Sequence, residues 1–415
     1  MAIQNNFPNL TPTLLLDFAN AGKLDPRVTF SRATTATYFN SLGVLTTAGN
    51  NVARFDYDPY TLAPLGLLIE EQRTNSFLQN FDISNASWIK VRATTPGTTT
   101  TSPSGGTAQK LVEDTTPAET HFFRQDMSVT SGATYTQSVY AKAAERTQIQ
   151  MSFDVDAGAF TDGAVIFTLT GNGSATVIAG SPSFSITSVG NGWYRCTISQ
   201  SAAATATAVF RIRLASGGTS FYNGNGTSGL FFWGAQIEQG AFATSVIPTT
   251  TTALTRNADV ASMTGTNFSS WYNAVEGTLY VEGVGVNNVG SGTRRYAEIN
   301  DNTSLERILV GYGFTTACRY LVSDGGATQA DIGVNATTGG ALVKAAATYK
   351  VNDFQQATNG VLGTADTSGT LPTVDRMFIG QAETAAAATT LNGTIRRIAY
   401  YPVRVTNAQL QALTG

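Results

Sequence analysis

The chain has 415 residues, of which 42% are hydrophobic, 13% are charged and 41 are glycine, with a formal net charge of -3 and a pI near 5.3. That length exceeds one ordinary core of about 150 residues, so several modules are expected, and the scarce charge and abundant glycine fit short strands joined by turns better than helices with solvated faces. The 25 lysines and arginines are scattered and leave no basic surplus for a phosphate backbone, and no apolar run reaches the roughly 18 residues of a membrane span, so neither nucleic acid nor a membrane is expected as a partner.

The amino terminus, MAIQNNFPNLTPT, carries no charged region followed by an apolar core. The chain is therefore expected to be made in the cytoplasm as a soluble protein, and to leave a cell only by a route such as release of a particle on lysis. Residues 1–80 are turn-rich, punctuated by Asp25-Pro26, Asp58-Pro59 and Ala63-Pro64, with a hairpin predicted at Asn40 to Gly43. This stretch holds too little apolar sequence for a core of its own and is read as a region that packs against, or attaches to, another surface.

From Ser84 the rhythm becomes that of an antiparallel sandwich or jelly roll. Apolar alternation recurs at Tyr135 to Ala141, Gln148 to Val155, Ala164 to Leu169, Trp193 to Ser199, Ala208 to Leu214 and Gly229 to Ile237, with turns at Gly171-Asn172-Gly173 and Gly190-Asn191-Gly192. In the last of these strands period two places Phe231, Trp233, Ala235 and Ile237 on one face and Phe232, Gly234, Gln236 and Glu238 on the other. Pro248 and the run Thr249 to Thr252 then read as an extended linker over 251–264, which closes the jelly roll at 81–250.

Residues 265–415 repeat the strand rhythm from Gly277 to Tyr401, with hairpin turns at Asp324-Gly325-Gly326 and Asn359-Gly360. A short terminal helix is predicted over Thr406 to Leu413, capped by Thr406 and ended by Gly415. The fold class is mostly β: two antiparallel sandwiches behind an irregular amino-terminal attachment region. Cys196 and Cys318 fall in different sandwiches and are read as buried small hydrophobes, which excludes a disulfide scaffold.

Two sets of residues carry a resemblance. LDPRVTFSRATTATYF, PLGLLIEEQRTN, the Trp88 region, GGTAQKLVED, YTQSVYAKA, WYRC and FWGAQIEQG followed by TRNADV together resemble tailed-bacteriophage and prophage virion proteins whose central domain is similar to carbohydrate-binding jelly rolls. NGVLGTADTSGTLPTVDRMFIG with LNGTIRRIAYYPVRVTNAQL resembles the closing strands of concanavalin A-like, laminin-G-like domains. The resemblance implies a particle component, as a tail fibre, head fibre or capsid decoration protein. Its implied partners are other virion proteins, reached through the amino-terminal region, further copies of itself (a trimer favoured), and a host-surface polysaccharide.

Candidate chemistry is sparse. His121 is the one histidine, so His-based metal clusters are excluded and a Ser-His-Asp arrangement has a single base, read here as a surface or edge-strand residue. No cofactor is expected. Asp154 and Asp156 lie two apart on a strand, about 7 Å, and with Asp162 offer the oxygen ligands that Ca²⁺ takes; the competing reading makes Asp154 and Asp156 the carboxylate pair of a polysaccharide depolymerase. The clustered Glu-x-Asp-x-x-Glu strand of concanavalin-like hydrolases is missing, since only Glu298 and Asp301 occur in Arg294 to Asp301, and no catalytic residue is assigned. Arg294, Tyr296 and Glu298, at period two, form the candidate carbohydrate-binding patch. All four tryptophans read as packing residues.

Overall fold

Which strands pair decides where each sandwich begins. The computed structural model describes residues 11–155, 158–286, 292–312, 317–335, 340–384 and 386–415. One sandwich is continuous in sequence. Its first sheet runs Thr99–Thr101, Thr107–Glu113, Gly229–Gln239, Thr134–Ala143, Trp193–Ser201, Ser183–Ser188, and its second runs Ser174–Ala179, Gly163–Thr168, Gln148–Phe153, Ala206–Ala215, Phe122–Val129, Ile89–Val91. Phe77, Trp88, Phe123, Met151, Phe210 and Ile212 fill the space between them, so this module has its own core.

The other sandwich is discontinuous. Arg54–Tyr57 and Pro64–Ile69 extend the sheet made by Glu276–Gly285, Val343–Lys350, Asp353–Thr358 and Gly393–Tyr401, while Leu14–Asp17 pairs with the same last strand, Leu14 opposite Tyr400. Thr29–Ser31 and Val260–Thr264 join the facing sheet of Arg376–Ile379, Arg294–Asn300, Arg307–Tyr312, Ala317–Asp324 and Ala327–Asn335. Leu14, Leu16, Leu67 and Ile69 accordingly share one core with Ile299, Ile332, Ile395 and Ile398.

The expected division is corrected in two places. Residues 14–75 are not a separate attachment region: beyond the hairpins Ala36–Phe39/Leu45–Ala48 and Arg54–Tyr57/Pro64–Ile69, their strands find their partners in the carboxyl-terminal half and complete its sandwich. Nor is 251–264 a linker. Leu254–Arg256 pairs with Arg73–Asn75, the Thr249 hydroxyl donates to the Phe77 carbonyl at 2.6 Å, and Val260–Thr264 is a sandwich strand. The jelly roll is therefore an insert, leaving and rejoining its host through one two-stranded ribbon.

Two β-bulges overturn expected faces. In Gly229–Gln239 the register slips opposite Ser138 and Tyr140, where Gly234 takes φ +61, so Phe232, Ala235 and Ile237 point into the insert's core while Phe231 and Trp233 pack under the 36–48 hairpin. In Arg294–Asn300 the slip falls between Arg295 and Ala297, with the same outcome for side-chain direction. Gly66 is demanded by close approach: at φ +101, a Cβ there would lie 2.1 Å from the Ile395 carbonyl oxygen. The terminal helix Asn407–Thr414 has the expected Thr406 cap, with Gln409 completing a capping box. Cys196 and Cys318 are buried free thiols, and all four tryptophans are buried.

Candidate functional site

On Gln148–Phe153 the apolar residues Ile149, Met151 and Phe153 turn inward, which sends Gln150, Ser152 and the following Asp154 outward. The neighbouring strand Ala206–Ala215 behaves likewise, with Phe210, Ile212 and Leu214 in the core and Arg211 and Arg213 outward, paired opposite Ser152 and Gln150. Asp154 is thereby held between two guanidinium groups: Arg211 donates to Oδ2, and Arg213 reaches both oxygens at 3.0 and 3.1 Å. Both arginines lie over the Phe122 ring, 5.6 and 5.8 Å from its centroid.

Gln150, Asp154 and Arg213 line a groove of about 480 Å³ with Asp162, Ala164, Ile178, Gly218, Ser220 and Phe221. Phe221 is 65% exposed, so an aromatic ring stands at the rim beside a floor of planar polar groups. Such a combination can grip hydroxyls through carboxylate, guanidinium and amide while a sugar's C–H face lies on the ring. Asp154 and Asp162 both line this groove. Asp156 lies outside the described residues, and among those residues no three His, Cys, Asp or Glu side chains converge on a metal position. Cations already occupy both Asp154 oxygens, so Asp154 and Asp162 by themselves do not build the expected calcium site.

The patch expected from Arg294, Tyr296 and Glu298 is not on the surface. The bulge at Arg295 turns Tyr296 into the core with Ala297 and Ile299, and sends Glu298 to the opposite face, fully buried, where it accepts from Arg295 at 2.7 Å and Asn300 at 3.0 Å. Arg294 is spent on the Ala387 and Thr390 carbonyls at 3.0 and 2.8 Å. His121 is likewise buried rather than exposed, its Nδ1 2.7 Å from the Arg92 carbonyl.

The motif residues that carry the family resemblance meet elsewhere, at the junction of the two sandwiches. Arg32 donates to Asp259 at 2.9 Å, Arg54 to Asp259 at 2.5 Å and to Glu70 at 2.7 Å, and Arg256 lies 3.6 Å from Glu70. Ser245, on the insert's outgoing chain, bonds Glu70 through both its amide and its hydroxyl. Burial alone would raise the Glu70 pKa, but Arg256, Arg54 and the Ser245 donors hold it well below the usual carboxylate range. Asp56 borders a neighbouring cavity of about 170 Å³, and burial pushes its carboxyl up to about 7 against the opposing Phe39 amide and Arg54. The arginines are fully buried, so this constellation locks the modules together and offers a ligand no open face. Spacing in SRATTAT, EEQRTN and TRNAD gave no sign that these charges meet, because the contacts to Asp259 span 227 residues from Arg32 and 205 from Arg54.

Fold and groove define the class: an antiparallel β protein of two sandwiches, one inserted in the other, with a polar, aromatic-rimmed groove on the insert. No protein-family model matches the chain, and no curated protein matches it. It is similar to the CBM40 of Ruminococcus gnavus IT-sialidase bound to α2,3 sialyllactose (14% identity, 36% of this chain and 87% of that one, TM-score 0.30) and to domains LG4-5 of the mouse laminin α1 chain (10%, 68% and 85%, 0.25). A third similar structure is Trypanosoma rangeli sialidase in complex with a difluoro-KDN (10%, 74% and 60%, 0.30). No residue of theirs is carried over to this chain.

Proposed function

We propose that this protein is a non-catalytic structural component of a tailed-bacteriophage particle that binds a host-surface glycan through the insert. The observation that carries the binding is the groove itself: Asp154 fixed between Arg211 and Arg213, beside Gln150, under the exposed ring of Phe221. The particle role follows from the resemblance of the junction motifs to virion proteins. The particle contact is assigned to the host sandwich, whose segment 15–62 exposes Leu15, Leu42, Val52, Tyr60 and Leu62. Several copies, a trimer by the same resemblance, would multiply a millimolar glycan contact worth about 4 kcal/mol into firm attachment.

The test has two arms. In gradient-purified phage particles the chain should co-migrate with the virion; its absence from them ends the particle reading. In titrations with host-surface polysaccharide, saturable binding should weaken roughly tenfold in Phe221→Ala, a change of about 1.4 kcal/mol at an exposed ring. Equal binding by the variant would remove the groove from the account, and release of reducing ends over prolonged incubation would replace binding by depolymerisation.

A further inference from the structure

The other sheet of the insert also borders a pocket. It holds about 340 Å³ between the hairpin turn at Gly43, the loop Thr100 to Gly105 and the turn Val189 to Asn191, with Trp193 in its wall. Trp193 is fixed by its indole N–H on the Thr101 carbonyl at 3.0 Å, so that wall is rigid and apolar. The polar groups are Thr100, Thr101, Asn191 and Lys142.

Lys142 decides the chemistry. It lies on Thr134–Ala143 opposite Trp193, half-buried, and none of the lining residues is a carboxylate. Asp58, in the turn whose Pro59 carbonyl abuts Gly190, is already engaged by the Tyr60 and Thr61 amides at 2.9 and 2.7 Å. Among the described residues the ammonium makes no ion pair, and an ammonium facing a pocket free of carboxylates favours an anion placed beside it.

We propose that this pocket takes an anionic saccharide unit, its acid group on Lys142 and its hydroxyls on Thr100 and Asn191, over a base closed by the buried Trp193. A uronate carboxylate and a sugar phosphate share that chemistry. The site is on the opposite sheet from the Asp154 groove and does not depend on it.

Calorimetric titration of the full chain at low salt with tetragalacturonate, glucose 1-phosphate and neutral maltotetraose tests this. At least one acidic ligand should bind saturably and at least tenfold more tightly than the neutral one, and its identity names the acid group. Lys142→Gln should abolish the preference, Lys142→Arg should keep it, and added salt should weaken the acidic ligand only. Thermal melts of the variants, unchanged from the parent, exclude misfolding. The Asn191 side-chain amide resonance should shift on binding. Equal affinity for acidic and neutral ligands, retained preference in Lys142→Gln, or resonance shifts confined to the surroundings of Phe221 would each overturn the assignment, the last while leaving the groove reading intact.

Discussion

Replacing Asp259 by Asn probes the junction where it is most constrained. Its carboxylate accepts from Arg32, Arg54 and the Glu70 amide, and both arginine side chains are fully buried. Asn keeps the size but supplies one acceptor oxygen, turns an N–H₂ toward a donor, strips Arg32 of its carboxylate and leaves Arg54 and Arg256 to share Glu70. Breaking a buried pair by removing one partner costs about 3–5 kcal/mol, because the stranded charge has no water. At about 2–4 °C per kcal/mol for a module of this size, the host-sandwich transition in calorimetry should fall by roughly 10 °C. The insert's own transition should move much less, since its core lies elsewhere. Adding Arg54→Met to Asp259→Asn should recover part of the loss by removing one unpaired cation. A melting temperature within about 2 °C of the parent, given that conversion, would refute the claim that these charges hold the junction.

Two further outcomes follow from the same architecture. Residues 76–253 should fold alone, whereas residues 254–415 should be insoluble or unfolded by circular dichroism, because they lack Leu14–Asp17, Arg54–Tyr57 and Pro64–Ile69; a cooperative melt of 254–415 would contradict the discontinuous sandwich. The junction also fixes a pH dependence. Glu70, with its folded pKa depressed, contributes stability that is present above its ordinary value of 4.5 and is lost in acid; Asp56, raised from 3.8 to about 7, favours the folded state while protonated and loses that contribution as pH climbs from about 4 to 7. The Asp56 contribution is at most about 4 kcal/mol. Asp56→Asn should flatten the decline above pH 5 in denaturant titrations while keeping the Phe39 amide contact, and an unchanged decline would show that another group causes it.

Strand rhythm, hairpin turns and the terminal cap were legible because each depends on neighbours in sequence: Thr406 meets Gln409, and Asn40 meets Gly43. The outward alternation of Gln150, Ser152 and Asp154 was legible for the same reason. What stayed hidden depends on distant partners. Leu67 and Ile69 look like an orphan apolar run until Gly393–Tyr401 arrives beside them. The bulges at Gly234 and Arg295 leave no compositional mark beyond one glycine, yet each reverses the faces on one side of it, which is why a surface patch was expected where Tyr296 and Glu298 are buried. Arg211 and Arg213 went unnoticed as partners of Asp154 because their pairing is set by sheet register.

The ribbon of Arg73–Asn75 with Leu254–Arg256 also bears on synthesis. A chain emerging from the ribosome presents Leu14–Ile69 long before the strands that will cover it, and closing a loop of that span costs entropy that grows by about 0.6 kcal/mol per doubling of length. The insert can fold while it waits, and its folding sets Asn75 opposite Leu254. Host strands separated by most of the chain then meet across what has become a short connection. Until then the early strands are unpaired edges, exposed to those of neighbouring nascent copies, and a delay in folding the insert prolongs that exposure.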